Sequence, residues 1–252
     1  HSGVTPLVQG QYVGGTNAPT QAAINTYFAQ FGAPAGSISP TGSGGFGFNP
    51  DGSLFNVGPN KGTIYNYQGI TDALGRPLND IYQGSVRNRS YYFRGTQNPL
   101  ERWSRFVKGD WALNNNIHFF GQALYTNYNS IVQSDATVTS ATQIPTVPLS
   151  NPFLASLLAA NPGVKALLDS RTGPTINGVL AKDQPIQINK RFLGLGGYRT
   201  ATNANNIYQF IAGLNGVLGD SMTWDVYASH GQTLNSYSST GAVRFSIVQQ
   251  ML

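Results

Sequence analysis

The sequence predicts an all-β protein, part of a transmembrane antiparallel β-barrel with long extracellular loops that contain short helices. Three observations carry this. Only 10% of the 252 residues are charged, against about 25% in an ordinary soluble domain. Aromatic residues and glycine are abundant, with 13 Tyr, 13 Phe, 3 Trp and 30 Gly, yet no run approaches the roughly 20 consecutive apolar residues of a membrane-crossing helix. Finally, two pairs of segments alternate apolar and polar residues over about 11–14 positions, beyond the mean strand of about 5–6 and slightly above the roughly 9–11 that cross hydrocarbon at a tilt.

Residues 1–100 read as a long extracellular loop region with one short helix and a hairpin. In "PTQAAINTYFAQFG", Thr20 can cap a helix and Gly32 can end it. Ile24, Tyr27, Phe28 and Phe31 fall on one helical stripe. "GFGFNPDGSLFNVG" reads as a hairpin turning at Asn49-Pro50-Asp51-Gly52.

Residues 101–130 read as a transmembrane β-hairpin. Trp103, Val107, Gly109, Trp111 and Leu113 alternate with Arg102, Ser104, Lys108 and Asp110, broken by Arg105 and Phe106. Asn114-Asn115-Asn116 is the turn, attributed to the tolerance of Asn for left-handed backbone. The return strand carries Ile117, Phe119, Gly121, Ala123 and Tyr125 on one face. Residues 131–204 read as an extracellular loop with short helices, where Asn151-Pro152 and Asn161-Pro162 are helix starts.

Residues 205–235 read as a second transmembrane hairpin about Gly219-Asp220-Ser221. Tyr208, Phe210, Ala212, Leu214 and Leu218 share one face, joined on the return strand by Trp224, Val226 and Ala228. Gln209, Gly213, Asn215, Thr223, Asp225, Tyr227 and Ser229 take the other, with Ile211. Residues 236–252 read as the start of a further loop or strand. Short turns at one end and long connections at the other are the layout of an outer-membrane barrel. The expected lipid-facing residues are therefore Trp103, Val107, Trp111, Phe119, Tyr208, Phe210, Leu214, Trp224 and Val226.

Other chemistries find little support. The net charge of +5 is scattered apart from Arg87, Arg89 and Arg94, which is no nucleic-acid footprint. There is no Cys, so disulfides, thiolate metal sites and cysteine nucleophiles are excluded. His1, His118 and His230 lack metal-ligand spacing, and no metal or cofactor is expected. "GSGGFG" matches a dinucleotide-binding pattern but lacks the preceding strand and following helix. Asn88-Arg89-Ser90 is a glycosylation sequon by pattern alone. Asp110 and Asp225 could serve a glycosidase only with carboxyl groups about 5–9.5 Å apart, and no activated serine is apparent, so no enzymatic activity is expected. Ligand contacts are expected from loop tyrosines, Tyr65, Tyr67, Tyr91 and Tyr92, and from the wet strand face, Gln209, Asn215, Asp225 and Tyr227.

Over about residues 46–252 the chain resembles the TonB-dependent outer-membrane receptors, especially the large alphaproteobacterial type. The stretches that carry the resemblance are "FGFNPDGSLFN", "PLERWSRFVKGDWALNNNIHFFGQALYTN", "VPLSNPFLASLLAANP" and "NKRFLGLGGYRTATNANNIYQFIAGLNGVLGDSMTWDVYASHGQT". Matching positions include Arg191-Phe192, Asn206-Ile207-Tyr208-Gln209, Gly213, Gly216, Leu218, Trp224 and Tyr227, with Trp224-Asp225-Val226-Tyr227 a compact variant. These motifs are structural, specific for the family and silent on cargo. The resemblance implies a barrel of about 22 strands in the cell outer membrane, plugged by an N-terminal domain. It implies binding and energised uptake of an external nutrient such as a siderophore or oligosaccharide. The partners implied are outer-membrane lipid and a TonB-type coupling protein acting on the plug. The chain is expected to be an internal barrel fragment, since no plug, coupling box or C-terminal aromatic strand is recognised. The alternatives are an extracellular β-sandwich adhesin or carbohydrate-binding structural protein, and a secreted hydrolase.

Overall fold

The computed structural model describes residues 4–5, 10–58, 62–72, 74–89, 97–139, 143–192 and 198–252. The strands are β1 (Val4–Thr5), β2 (Tyr12–Val13), β3 (Phe46–Phe48), β4 (Leu54–Asn56), β5 (Asn79–Tyr82), β6 (Ser85–Arg89), β7 (Leu100–Asn114), β8 (Ile117–Ser134), β9 (Thr146–Val147), β10 (Ile186–Ile188), β11 (Arg199–Leu218) and β12 (Met222–Thr240). The helices are α1 (Gln21–Ala29), α2 (Pro152–Ala160), α3 (Pro162–Asp169) and α4 (Phe245–Met251). All strand pairings are antiparallel, so the architecture is all-β with a few short helices. No helix among the described residues is long and apolar enough to cross a membrane.

The chain divides into two compact units. The first gathers residues 1–94, 135–198 and 241–252. The sequence reading made these separate loop excursions, whereas they share a core. Thr20 caps α1 by accepting a hydrogen bond from the Ala23 amide at 3.3 Å, and Gly32 leaves the helix at φ 79°. The α1 stripe of Ile24, Tyr27 and Phe28 is buried among Leu154 and Leu158 of α2, Val164, Leu167 and Leu168 of α3, and Phe46 and Leu54 of the β3–β4 hairpin. Proline opens both α2 and α3, and the Asn151 side chain accepts from the Phe153 and Leu154 amides. The buried Arg171 guanidinium ties the end of α3 to the following loop. Its Nε donates to the Leu168 carbonyl at 2.8 Å, and its Nη2 donates to those of Lys182 and Gln184 at 2.6 and 2.8 Å. A smaller cluster holds Phe55, Val57 and Val86 with Ile64, Tyr67 and Ile70. Asp135 and Arg191 form a buried ion pair of 2.7 Å.

The second unit, residues 95–134 and 199–240, is a four-stranded sheet in the order β12-β11-β8-β7. Its strands have 15, 18, 20 and 19 residues in chain order from β7. They outrun the alternating segments because their far ends, such as Thr200–Ala204 and Ser236–Thr240, are mostly small or polar on both faces and carry little periodic signal. The last strand runs to Thr240 and α4 follows, in place of a new loop or strand. The β7–β8 turn also forms differently from the expectation. Neither Asn115 nor Asn116 adopts positive φ. Instead the Asn114 side chain accepts from the Asn116 amide at 2.8 Å, an Asx turn. A register shift lies between Ala112 and Asn114, so Leu113 is bulged rather than in series with Trp111. The β11–β12 turn at Gly219-Asp220-Ser221 uses Gly219 at φ 67°. Among the described residues β7 and β12 are open edges, and both are exposed along nearly their whole length.

Candidate functional site

Residues paired directly across antiparallel strands point to the same side, so the register assigns every side chain of the sheet to one of two faces. Starting from the turns, one face carries these rows. Leu218 pairs with Met222. Ile117 and Trp224 flank Gly216. Trp111, Phe119, Leu214 and Val226 form the next row, then Gly109, Gly121, Ala212 and Ala228. Val107, Ala123, Phe210 and His230 follow, and then Arg105, Tyr125, Tyr208 and Gln232. One row farther out stand Trp103, Asn127, Asn206 and Leu234. Every residue expected to face lipid lies on this side: Trp103, Val107, Trp111, Phe119, Tyr208, Phe210, Leu214, Trp224 and Val226.

This apolar zone has a measurable height. From Tyr208 to Leu218 is ten residue steps, about 34 Å along the strand. Tilted by 45°, a zone of that length would span about 24 Å of depth. Large rings stand toward both limits, Trp224 one row from the turn-side end and Trp103, Tyr125 and Tyr208 at the far end, with Trp111 nearer the middle. The far rings carry polar tips with partners. Tyr208 Oη donates to Gln232 Oε1 at 2.6 Å, and Tyr125 Oη donates to Asn206 Oδ1 at 2.8 Å. Beyond them the face turns amide-rich, and Asn127 Nδ2 also donates to Asn206 Oδ1 at 2.8 Å. The side chains are open to solvent in the isolated chain, with Trp111 at 74%, Val107 at 68% and Val226 at 67% exposure.

The opposite face holds the expected lumen residues Gln209, Asn215, Asp225 and Tyr227. His118, Asn215 and Asp225 stand side by side across β8, β11 and β12. His118 Nδ1 lies 3.2 Å from Asp110 Oδ1, a contact that the alternation alone did not indicate. They border a shallow depression of about 520 Å3 with Asn115, Asn116 and Thr223. Asp110 and Asp225 are on the two edge strands, three strand spacings or about 14 Å apart, too far for paired carboxylate chemistry. Among the described residues no group of three or more His, Cys, Asp or Glu could hold a metal.

The loop tyrosines fare differently. Tyr65 packs against the main core of the first unit. Tyr67 meets Phe55 edge-on at 5.0 Å, and burial raises its phenol above the ordinary value against the effect of nearby hydrogen bonds. Both rings are half-buried in the first unit. Tyr91 and Tyr92, like His1 and Ser90 of the sequon, lie outside the described residues.

Gly216 and Gly213 explain how the large rings sit. A Cβ at Gly216 would come within 3.0 Å of the Trp224 indole, which lies over it. One at Gly213, on the opposite face, would meet Phe120 and Tyr227, its partners in register, at 2.6 and 2.7 Å. Glycine in a strand here makes room for a cross-strand aromatic.

No protein-family model matches the chain, and no curated protein matches it.

Proposed function

We propose that this chain is a piece of the wall and outer loops of an outer-membrane β-barrel, a receptor of the TonB-dependent kind that binds an external nutrient and takes part in its uptake. One observation carries the reading. Side chains from four strands assemble a single apolar face about 24 Å deep, with aromatic rings toward both limits, while the opposite face at the same depth mixes polar and charged side chains with Phe106, Phe120, Leu124, Ile211 and Val217. Such a face covers roughly 600 Å2 in projection, at the upper end of what a soluble monomer leaves bare.

Chain connectivity supports the same reading. The tight turns Asn115–Asn116 and Gly219–Ser221 lie at one end of the sheet. The other ends of the four strands, Leu100, Ser134, Arg199 and Thr240, lie together at the opposite end. Short turns on one side and long excursions on the other are the layout of outer-membrane barrels. A compact unit built from those excursions is suited to ligand contact, as loops held by a rigid wall are. Ligand selection then belongs to that unit and to the polar face, with Gln209, Asn215, Asp225 and Tyr227 lining a watery interior. Energy coupling would act through a plug domain and its TonB-type partner rather than through these residues.

Cysteine scanning tests the reading directly, since the chain has no native Cys. Cysteines placed at Phe210, Leu214 and Val226 should react with membrane-soluble maleimides and resist charged ones. Those at Gln209, Asn215 and Asp225 should do the reverse. Uniform reaction with charged reagents at all six would remove the membrane assignment.

A further inference from the structure

We propose that the far rim of the apolar face, centred on Arg105, binds a phosphate-bearing anionic lipid, with the headgroup on the guanidinium and an acyl chain in the groove beside it. This rests on the reading that the face meets lipid. Between the Leu218 and Tyr208 rows, Arg105 is the one Lys, Arg, Asp or Glu on that face. An arginine at mid-depth would cost about 2–4 kcal/mol, falling to about 0–1 near the interface, and Arg105 stands in the outermost row with Tyr125 and Tyr208. Its guanidinium carbon lies 5.2 Å from the ring centre of Trp103, on the side away from the band. The charge is thus carried to the level where headgroups begin.

The charge at that level is unmet. Among the described residues no carboxylate pairs with Arg105. The acidic residue nearest along its own strand on this face, Glu101, is four residues farther out, about 13 Å. A guanidinium matches phosphate with two parallel donors, which a point-charge ammonium does not. One row inward, the small Ala123 lies between Val107 and Phe210. The result is a groove of about 440 Å3 bounded by Arg105, Val107, Ala123, Tyr125, Tyr208 and Phe210. Its walls are apolar apart from that one cationic corner, so an amphiphile fills it and a free phosphate does not.

The chain has three tryptophans, and Trp103 adjoins the site. With Trp111→Phe and Trp224→Phe, Trp103 becomes the sole fluorophore in the full chain reconstituted into phosphatidylcholine vesicles. Brominated phosphatidylglycerol should quench it with about fivefold higher relative affinity than brominated phosphatidylcholine, the scale of one arginine at an anionic surface. Adding Arg105→Gln should bring that ratio to one and leave quenching by phosphatidylcholine in place. A chain carrying Trp103→Phe and Trp111→Phe, which reports from Trp224 toward the other rim, should show no preference. Quenching by both lipids without preference, or a preference that survives Arg105→Gln, overturns the lipid site alone. No quenching by either lipid overturns the lipid-facing assignment and the site with it.

Discussion

The most demanding consequence of the two-faced sheet is a dependence on depth. Leu214 lies four residues from Leu218 on β11, about 14 Å along the strand and so about 10 Å below the turn-side rim at a 45° tilt. The band is about 24 Å deep, so Leu214 stands close to its middle. Leu214→Arg should therefore cost about 2–4 kcal/mol and Leu218→Arg about 0–1. Asn215→Arg, adjacent in sequence but on the wet face, should stay within about 0.5 kcal/mol. The assay is reversible urea unfolding of the protein in phospholipid vesicles, followed by tryptophan emission. Were the sheet simply water-exposed, all three arginines would be surface substitutions and none would differ by more than about 0.5 kcal/mol. Equal effects at Leu214 and Asn215, or a larger cost at Leu218 than at Leu214, would refute the reasoning.

Other outcomes follow from local geometry. Gly216→Val should press on the Asn116 carbonyl as well as the Trp224 indole and cost about 1–3 kcal/mol, read by denaturation together with a shift of Trp224 emission in a chain where it is the sole tryptophan. Asp135→Asn should cost about 3–5 kcal/mol by removing the charged partner from the buried Asp135–Arg191 ion pair, measured by denaturation of the first unit. Burial raises the phenols of Tyr12, Tyr27 and Tyr67 above their ordinary 10.0. The unfolded chain then loses these protons first, so the first unit should hold its stability below pH 10 and lose it as pH rises beyond, tracked by near-ultraviolet circular dichroism. Asp51 behaves oppositely. Burial works against its charge, but hydrogen bonds from Ser53 and Gln68 outweigh that and lower its pKa. Its contribution should be present above the ordinary carboxylate range and fade as pH falls through the depressed value, and Asp51→Asn should flatten that acid limb.

The parts legible in the sequence were those governed by local rules. Helix caps at Thr20, Asn151 and Asn161 and the turn at Gly219 depend on neighbours within a few residues. Period-two alternation likewise sorted Tyr208 from Gln209 and Val226 from Asp225 without knowledge of any partner. What stayed hidden depends on distant pairing. Nothing in either hairpin alone says that β8 and β11 join, with Tyr125 opposite Tyr208 and Phe119 opposite Leu214. The polar ends of the strands were missed because backbone hydrogen bonds extend a ladder whatever the side chains are. The shared core of the first unit was missed because its members, Ile24, Leu54 and Leu167 among them, come from segments far apart in the chain, and a local period such as that at Ile24 does not name what it packs against. The Asn114 turn was placed correctly for the wrong reason, since its side chain made the bond that positive φ was expected to supply.

The row Gly109, Gly121, Ala212 and Ala228 bears on which environment suits the apolar face. Two packed sheets sit about 10 Å apart with interdigitated side chains, and protein interiors fill space to crystal-like density. A band of hydrogens and methyls crossing all four strands between Trp111 and Val107 offers a second sheet little to interlock with. Covering it would require large side chains from a partner sheet at that one level, or else leave a void that costs stability. Fluid acyl chains conform to such a trough with no void at all. The β12 edge presses in the same direction, because it presents 19 residues of ladder with Asp225 its one Asp, Glu, Lys or Arg, which a soluble protein would be expected to shorten, charge or cover. Further strands on both edges would satisfy these backbone groups, and a sheet extended on both sides with one apolar face outward can close only around its polar side.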